Sequence, residues 1–271
     1  MKLILSFLIF FSISLFALEK GPCGTYISEN EFSEGVCEHV EIDYSNKAAL
    51  QRGAKLYMNY CFGCHSLKYA RYQRVSDDLG IPIDLFKENL LFGDQKMGDL
   101  MVIGMKNKDA KNWFGTTPPD LTLHTSLKGA DWLYTYLISF FLDESRPLGV
   151  NNKVYQDVGM PNVLHSLQGN QHSICKEVSV VASNGGLKQD PLTGKIITEE
   201  KCGFLESEEG SGELTPEEFK SSMQDLTNFL AYMSDPIKEK REYIGKFVIL
   251  YLLIFTIFSY LLYREFQKDV H

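Results

Sequence analysis

The chain has no excess of positive charge, no long internal repeat and no convincing run in which polar and apolar residues alternate. Its 27 Lys and Arg stand against 35 Asp and Glu, a net charge of −8. That sign argues against nucleic acid and suits a basic soluble partner. Without period-two alternation there is no case for a sheet, and the Gly-, Pro- and Asn-rich middle of the chain reads as loops. Cysteine and histidine are scarce, six of each in 271 residues. Three of these scarce residues crowd together at Cys61, Cys64 and His65.

They lie in "NYCFGCHSLKYARY", residues 59–72. A Cys-x-x-Cys pair alone fits a redox dithiol, half a zinc site or a structural bridge. The histidine directly after the second cysteine makes it the attachment signature of a c-type haem. Each thiol can add to one vinyl group, and His65 then lies where it can give the iron an axial imidazole.

The two ends of the chain are apolar. "MKLILSFLIFFSISLFALEK" has one lysine, Lys2, then an apolar and serine run, then Ala17. That is the layout of a signal peptide over residues 1–17, with an uncleaved anchor as the alternative. Residues 247–263, "FVILYLLIFTIFSYLLY", run 17 positions without a charge. As a helix they span roughly 25 Å, at the short end for crossing a bilayer. With Tyr243 and Tyr263 at the interfaces, the expected span is 243–263. Lys238, Lys240, Arg241 and Lys246 precede it, against Arg264 and Lys268 after it, which by positive charge alone would put the preceding segment inside. A long translocated domain overrides that bias. The expected layout is a periplasmic domain over 18–242, one anchor in the bacterial inner membrane, and a cytoplasmic tail over 264–271.

The four other cysteines are even in number in an oxidising compartment. Cys23–Cys37 and Cys175–Cys202 are the local pairings among three possible connectivities. Residues 198–218 hold eight carboxylates and one lysine, either a solvated loop or a docking surface. Helix signals flank the motif. "SNKAALQRGAKLYMNY" offers Ser45 as N-cap and apolar residues at helical spacing up to Tyr60. "LTPEEFKSSMQDLTNFLAYMSDP" offers Thr215 as N-cap, Pro216 at the first position and Glu218 to close a capping box. Phe219, Met223, Leu226, Leu230 and Met233 follow at intervals of three and four.

A second axial ligand is sought among the methionines, because Met opposite His is common in c-type cytochromes and raises the potential. Met58, Met223 and Met233 read as core. Met97, Met101 and Met105 have spacing four and read as one helix face. Met160, in "DVGMPNVLH", lies between Gly159 and Pro161, where a stiff loop aims one side chain inward. His165 and His124 are the imidazole alternatives. In "TTPPDLT", Pro118 and Pro119 form a stiff segment fit to wall a flat cofactor, or merely a turn. Arg146 is a candidate for a propionate, or for a surface ion pair.

Together, "RGAKLYMNYCFGCHSLKYARY", "WFGTTPPDLT", "DWLYTYLISFFLDESRPLGVNN", "VGMPNVL" and the late helix before one anchor resemble the cytochrome c1 family in its proteobacterial form. The resemblance implies a mainly α fold: a class I cytochrome c-like haem domain with extended loops, plus one C-terminal transmembrane helix. It implies that the helix holding Gly53 and Tyr57 crosses the one holding Phe229 and Tyr232. It implies one haem c on Cys61 and Cys64, axial ligands His65 and Met160, and Pro118 and Pro119 along the haem. The partners it implies are cytochrome b, the Rieske iron–sulfur protein and a cytochrome c acceptor in a dimeric respiratory complex, with no bond-making chemistry by this chain. The segment 167–214 is longer than in mitochondrial relatives, and "MPNVL" lacks their second proline. Alternatives are a free-standing anchored cytochrome c serving an oxidase or reductase, and a haem enzyme or sensor with an open sixth site.

Overall fold

The computed structural model describes residues 37–180 and 186–268. The expected leader, its cleavage after Ala17, and Cys23 lie outside the described residues. The chain divides into two units, one up to Ser234 and one from Asp235.

Two crossing helices organise the first unit. Helix α1 (Lys47–Leu56) is capped by Asn46, whose side chain accepts the Ala49 N–H at 3.1 Å. The cap is therefore not Ser45, whose hydroxyl donates to Asp43 Oδ1 at 2.6 Å in the preceding turn. Helix α8 (Pro216–Ser234) begins with the expected capping box: Glu218 N–H donates to Thr215 Oγ1 at 3.3 Å, and Thr215 N–H to Glu218 Oε2 at 3.0 Å. Its stripe of Phe219, Met223, Leu226, Leu230 and Met233 is buried throughout. At the crossing, a Cβ on Gly53 would lie 2.1 Å from the Asp225 carbonyl oxygen and 2.7 Å from Phe229 Cβ. Only hydrogen fits there. Arg52 locks the contact with Nε and Nη2 on the two Asp225 oxygens, at 2.6 and 3.0 Å, and the Tyr57 ring packs 5.7 Å from Phe229.

Between these helices run β1 (Leu67–Arg71), α2 (Tyr72–Leu79), α3 (Ile83–Leu90), β2 (Leu100–Met101), α4 (Asn107–Phe114), α5 (His124–Lys128), α6 (Ala130–Ile138), β3 (Phe140–Leu142), β4 (Val150–Asn152), α7 (His165–Gln168), β5 (Gln171–Ser179) and β6 (Thr198–Ser207). Among the described residues the fold is mainly helical, and the strands pair as antiparallel ribbons, β1 with β2, β3 with β4 and β5 with β6. The β5–β6 hairpin corrects the expectation of no sheet. Most of β5 is exposed on both faces, so no polar–apolar alternation marked it. Cys175 and Cys202 face each other in its register and are disulfide-bonded, as expected from their spacing. Cys37 is disulfide-bonded too, and the expected partner Cys23 lies outside the described residues.

The methionine helix over 97–105 does not form. Asp99 Oδ2 accepts the Lys96 N–H at 2.8 Å in a turn, and Met101 lies on β2 opposite Leu67. Gly98 and Gly104 weaken any helix there. Met97 and Met101 are nevertheless buried.

The main core draws on α1, α2, α3, α6 and α8, and a smaller cluster of Phe140, Val150 and Val158 packs against Tyr136 and Met160. In the second unit, α9 (Lys238–Lys268) has 31 residues and buries none of them. It is long and apolar enough to cross a membrane, and the uncharged run 247–263 lies within it.

Candidate haem site

Helix α1 does not stop before the cysteines; it widens into a π-helical turn, Tyr57–Cys61. Such turns recur at functional sites because the extra residue rotates the chain beyond it. The Cys61 carbonyl then accepts the N–H groups of both Cys64 (3.0 Å) and His65 (2.9 Å), so the chain folds back on itself. Tyr57 anchors the turn by donating its hydroxyl to the His65 carbonyl at 2.6 Å. The side chains of Cys61, Cys64 and His65 all face one cavity of about 320 Å³.

Its opposite parts come from distant sequence. Thr116, Thr117, Pro118 and Pro119 form one wall, pinned to the motif where Leu121 N–H donates to the Ser66 carbonyl at 2.9 Å. Trp132 and Tyr136 of α6 and Leu226 and Leu230 of α8 form others, and Met160 enters from the loop after β4. His65 Nδ1 lies 2.7 Å from the Pro119 carbonyl oxygen. A carbonyl only accepts, so Nδ1 carries the proton and the Nε2 lone pair is free for a metal. Burial lowers the His65 pKa, opposed by the Pro119 hydrogen bond and by Asp120. Tyr136 donates its hydroxyl to Met160 Sδ at 3.4 Å.

The thiols are not an activated redox pair. Burial, with a smaller contribution from Cys64, pushes Cys61 up to about 12, and burial also raises Cys64. Catalytic dithiols need a depressed pKa. The donor set instead fits a haem: two thiols, an imidazole with Nε2 free and a thioether share one apolar enclosure. Trp132 also lines it, and its indole Nε1 is buried with no hydrogen-bond partner, a donor left over for an acceptor on a bound group.

Of the residues expected from sequence, Cys61, Cys64, His65, Pro118, Pro119 and Met160 come together at this cavity. Arg146 is not among the lining residues. It sits in the turn between β3 and β4, where its Nη1 pairs with Asp157 at 2.6 Å while its buried Nε has no partner. His165 opens α7 and does not line the cavity, whereas His124 does, tilted 5.8 Å from Trp132. Burial lowers the His124 pKa, with His65 and Lys128 adding to the shift. Sequence reasoning passed over Trp132 and Tyr136, which stack at 5.2 Å. Their i, i+4 spacing in "DWLYTYL" was the available signal.

Among known proteins, the Cytochrome C1 family matches the chain over residues 39–171 and 203–270. The cytochrome c1 of Allochromatium vinosum is 46% identical over 242 residues, covering 88% of this chain and 93% of that one. A Nitrosomonas europaea protein named ammonia monooxygenase gamma subunit is 34% identical, covering 91% and 94%. The cytochrome c1 of Rhodobacter capsulatus is 22% identical, covering 80% and 81%. With the attachment motif in place and the match running through most of the chain, the protein belongs to the cytochrome c1 family, membrane-anchored electron-transfer subunits of the bc1 complex that carry covalently attached haem c.

Proposed function

We propose that this chain relays single electrons from the Rieske iron–sulfur protein to a soluble or tethered cytochrome c, within a dimeric quinol-oxidising complex that also holds cytochrome b. The observation that carries the reading is the meeting of Cys61, Cys64, His65 and Met160 in one apolar cavity, with His65 oriented through Pro119. The bound haem supplies a one-electron couple at its iron. Cys61 and Cys64 would hold it through thioether bonds, and His65 Nε2 and Met160 Sδ would be the donors to its iron. Two protein donors would fill both open positions on the iron, which suits a carrier. Pro118 and Pro119 exclude water from one wall, and the second proline also keeps the imidazole in the ligating tautomer. The net charge of −8 suits a basic acceptor.

The layout that goes with this is a signal peptide over 1–17, a periplasmic haem domain over 18–242 with an insertion at 167–214, an anchor over 243–263 and a cytoplasmic tail over 264–271. The test is a reduced-minus-oxidised spectrum of the chain gently extracted from its own membranes. A c-type band accompanied by b-type bands is expected. A c-type band alone, after an extraction shown to preserve complexes, overturns the reading in favour of a free-standing carrier. In Met160→Leu the potential is expected to fall and the iron to accept exogenous ligands; an unchanged spectrum and potential rules Met160 out as ligand.

A further inference from the structure

Two buried carboxamides, Gln168 and Gln171, meet behind the loop that carries Met160. Gln168 Nε2 lies 3.4 Å from both the Ile138 and the Phe140 carbonyl oxygens, and Gln171 Nε2 lies 3.1 and 2.8 Å from the same two. Those carbonyls only accept, so each amide must turn its nitrogen toward them and its oxygen away. The orientation of both side chains is thereby settled. The Gln168 oxygen then accepts from Asn162 Nδ2 at 2.8 Å, and the Gln171 oxygen from Ser207 Oγ at 3.2 Å.

Asn162 is two residues beyond Met160, and its own Oδ1 accepts the Leu164 N–H at 3.1 Å. Gln171 and Ser207 are partners at the base of the β5–β6 hairpin. The family match stops at residue 171 and resumes at 203, so most of the hairpin lies outside the matched residues, and this junction is where it joins the rest. The receiving carbonyls flank the end of α6, the helix whose Tyr136 hydroxyl meets the Met160 sulfur. The loop is thus referred twice to one element, at the sulfur and again at Asn162.

We infer that Gln168 is a positioning residue for the Met160 ligand loop, holding Asn162 to the end of α6, and that the hairpin completes the same junction through Gln171. This rests on the reading of Met160 as an axial donor. A buried amide that loses one partner has no water to replace it, so the arrangement tolerates one loop position and penalises others. Gln168 cannot rescue a lost Asn162 donor by flipping, because its oxygen would then face two carbonyl oxygens.

The test uses the full chain with its haem, extracted from its own membranes, in the forms wild type, Gln168→Leu, Asn162→Asp, Met160→Leu and Ser76→Ala. Asn162→Asp keeps the acceptor for Leu164 and sets a carboxylate oxygen against the Gln168 oxygen in place of the donor, so it carries the test if Gln168→Leu does not assemble. Ser76 is fully buried, donates to the Ile81 carbonyl at 2.7 Å and serves as a destabilised control outside the junction. Imidazole binding to ferric haem and the methionine-to-ferric charge-transfer band are measured beside thermal stability. Gln168→Leu and Asn162→Asp are expected to weaken the band and to bind imidazole about five- to thirtyfold more tightly than wild type, while Ser76→Ala loses stability without either change. Wild-type imidazole affinity in both junction variants, with tight binding in Met160→Leu, overturns the positioning role and leaves the ligand reading standing. Equal tightening in Ser76→Ala also overturns it, as general loosening. An unchanged band in Met160→Leu removes the ligand reading and this inference with it.

Discussion

The 3.4 Å contact from the Tyr136 hydroxyl to Met160 Sδ has an electronic consequence. If Met160 is the iron donor proposed above, a hydrogen bond on its second sulfur lone pair would withdraw density that ferric iron needs more than ferrous iron does. Removing it in Tyr136→Phe is expected to lower the potential, by a two- to tenfold shift in the ferrous-to-ferric ratio, tenfold being about 59 mV for one electron. A redox titration decides it, and an unchanged or raised potential refutes it. Gly53→Ala belongs to the same scale. Its Cβ would enter the backbone of α8, so a loss of about 3 kcal/mol is expected in thermal or denaturant unfolding. Much of the site was legible here: the Cys61–Cys64–His65 spacing and the Gly159–Met160–Pro161 setting are local features. Tyr136 was not, because its sulfur partner lies 24 residues away and only the folded chain brings them together. The pairing of Arg146 with Asp157 in the turn after β3 was likewise not legible, because Asp157 lies on the far side of β4 in sequence.

Elements were legible where one face is buried and obscure where none is. Helices α1 and α8 declared themselves through apolar spacing and, for α8, through the Thr215–Glu218 box. The β5–β6 hairpin carries no such stripe, since ladder hydrogen bonds and one cross-strand disulfide hold it. The reverse error arose at Met97, Met101 and Met105, where spacing four imitated a helix face; the burial of Met97 and Met101 came instead from a turn and a short strand. The disulfide closes a separation of 27 residues, worth about 3.5 kcal/mol on the chain-entropy account. Replacing Cys175 and Cys202 together by serine is therefore expected to speed proteolysis between β5 and β6. Limited digestion measures this, and equal cleavage rates would show that the ladder suffices alone.

At the scale of the whole chain, α9 buries no residue and the main core ends at Met233. A chain ended at Ile237 is expected to leave the membrane as a soluble haem protein with an unchanged potential. Fractionation and redox titration check this, and retention in the membrane would reveal a second attachment. The anchor was legible as an uncharged run, although its helix extends past the apolar residues at both ends. Only Asp235, Pro236 and Ile237 separate α8 from α9, a reach of about 10 Å when extended. On the proposed relay, so short a link would leave the travelling to the proteins that bring the electron and take it away.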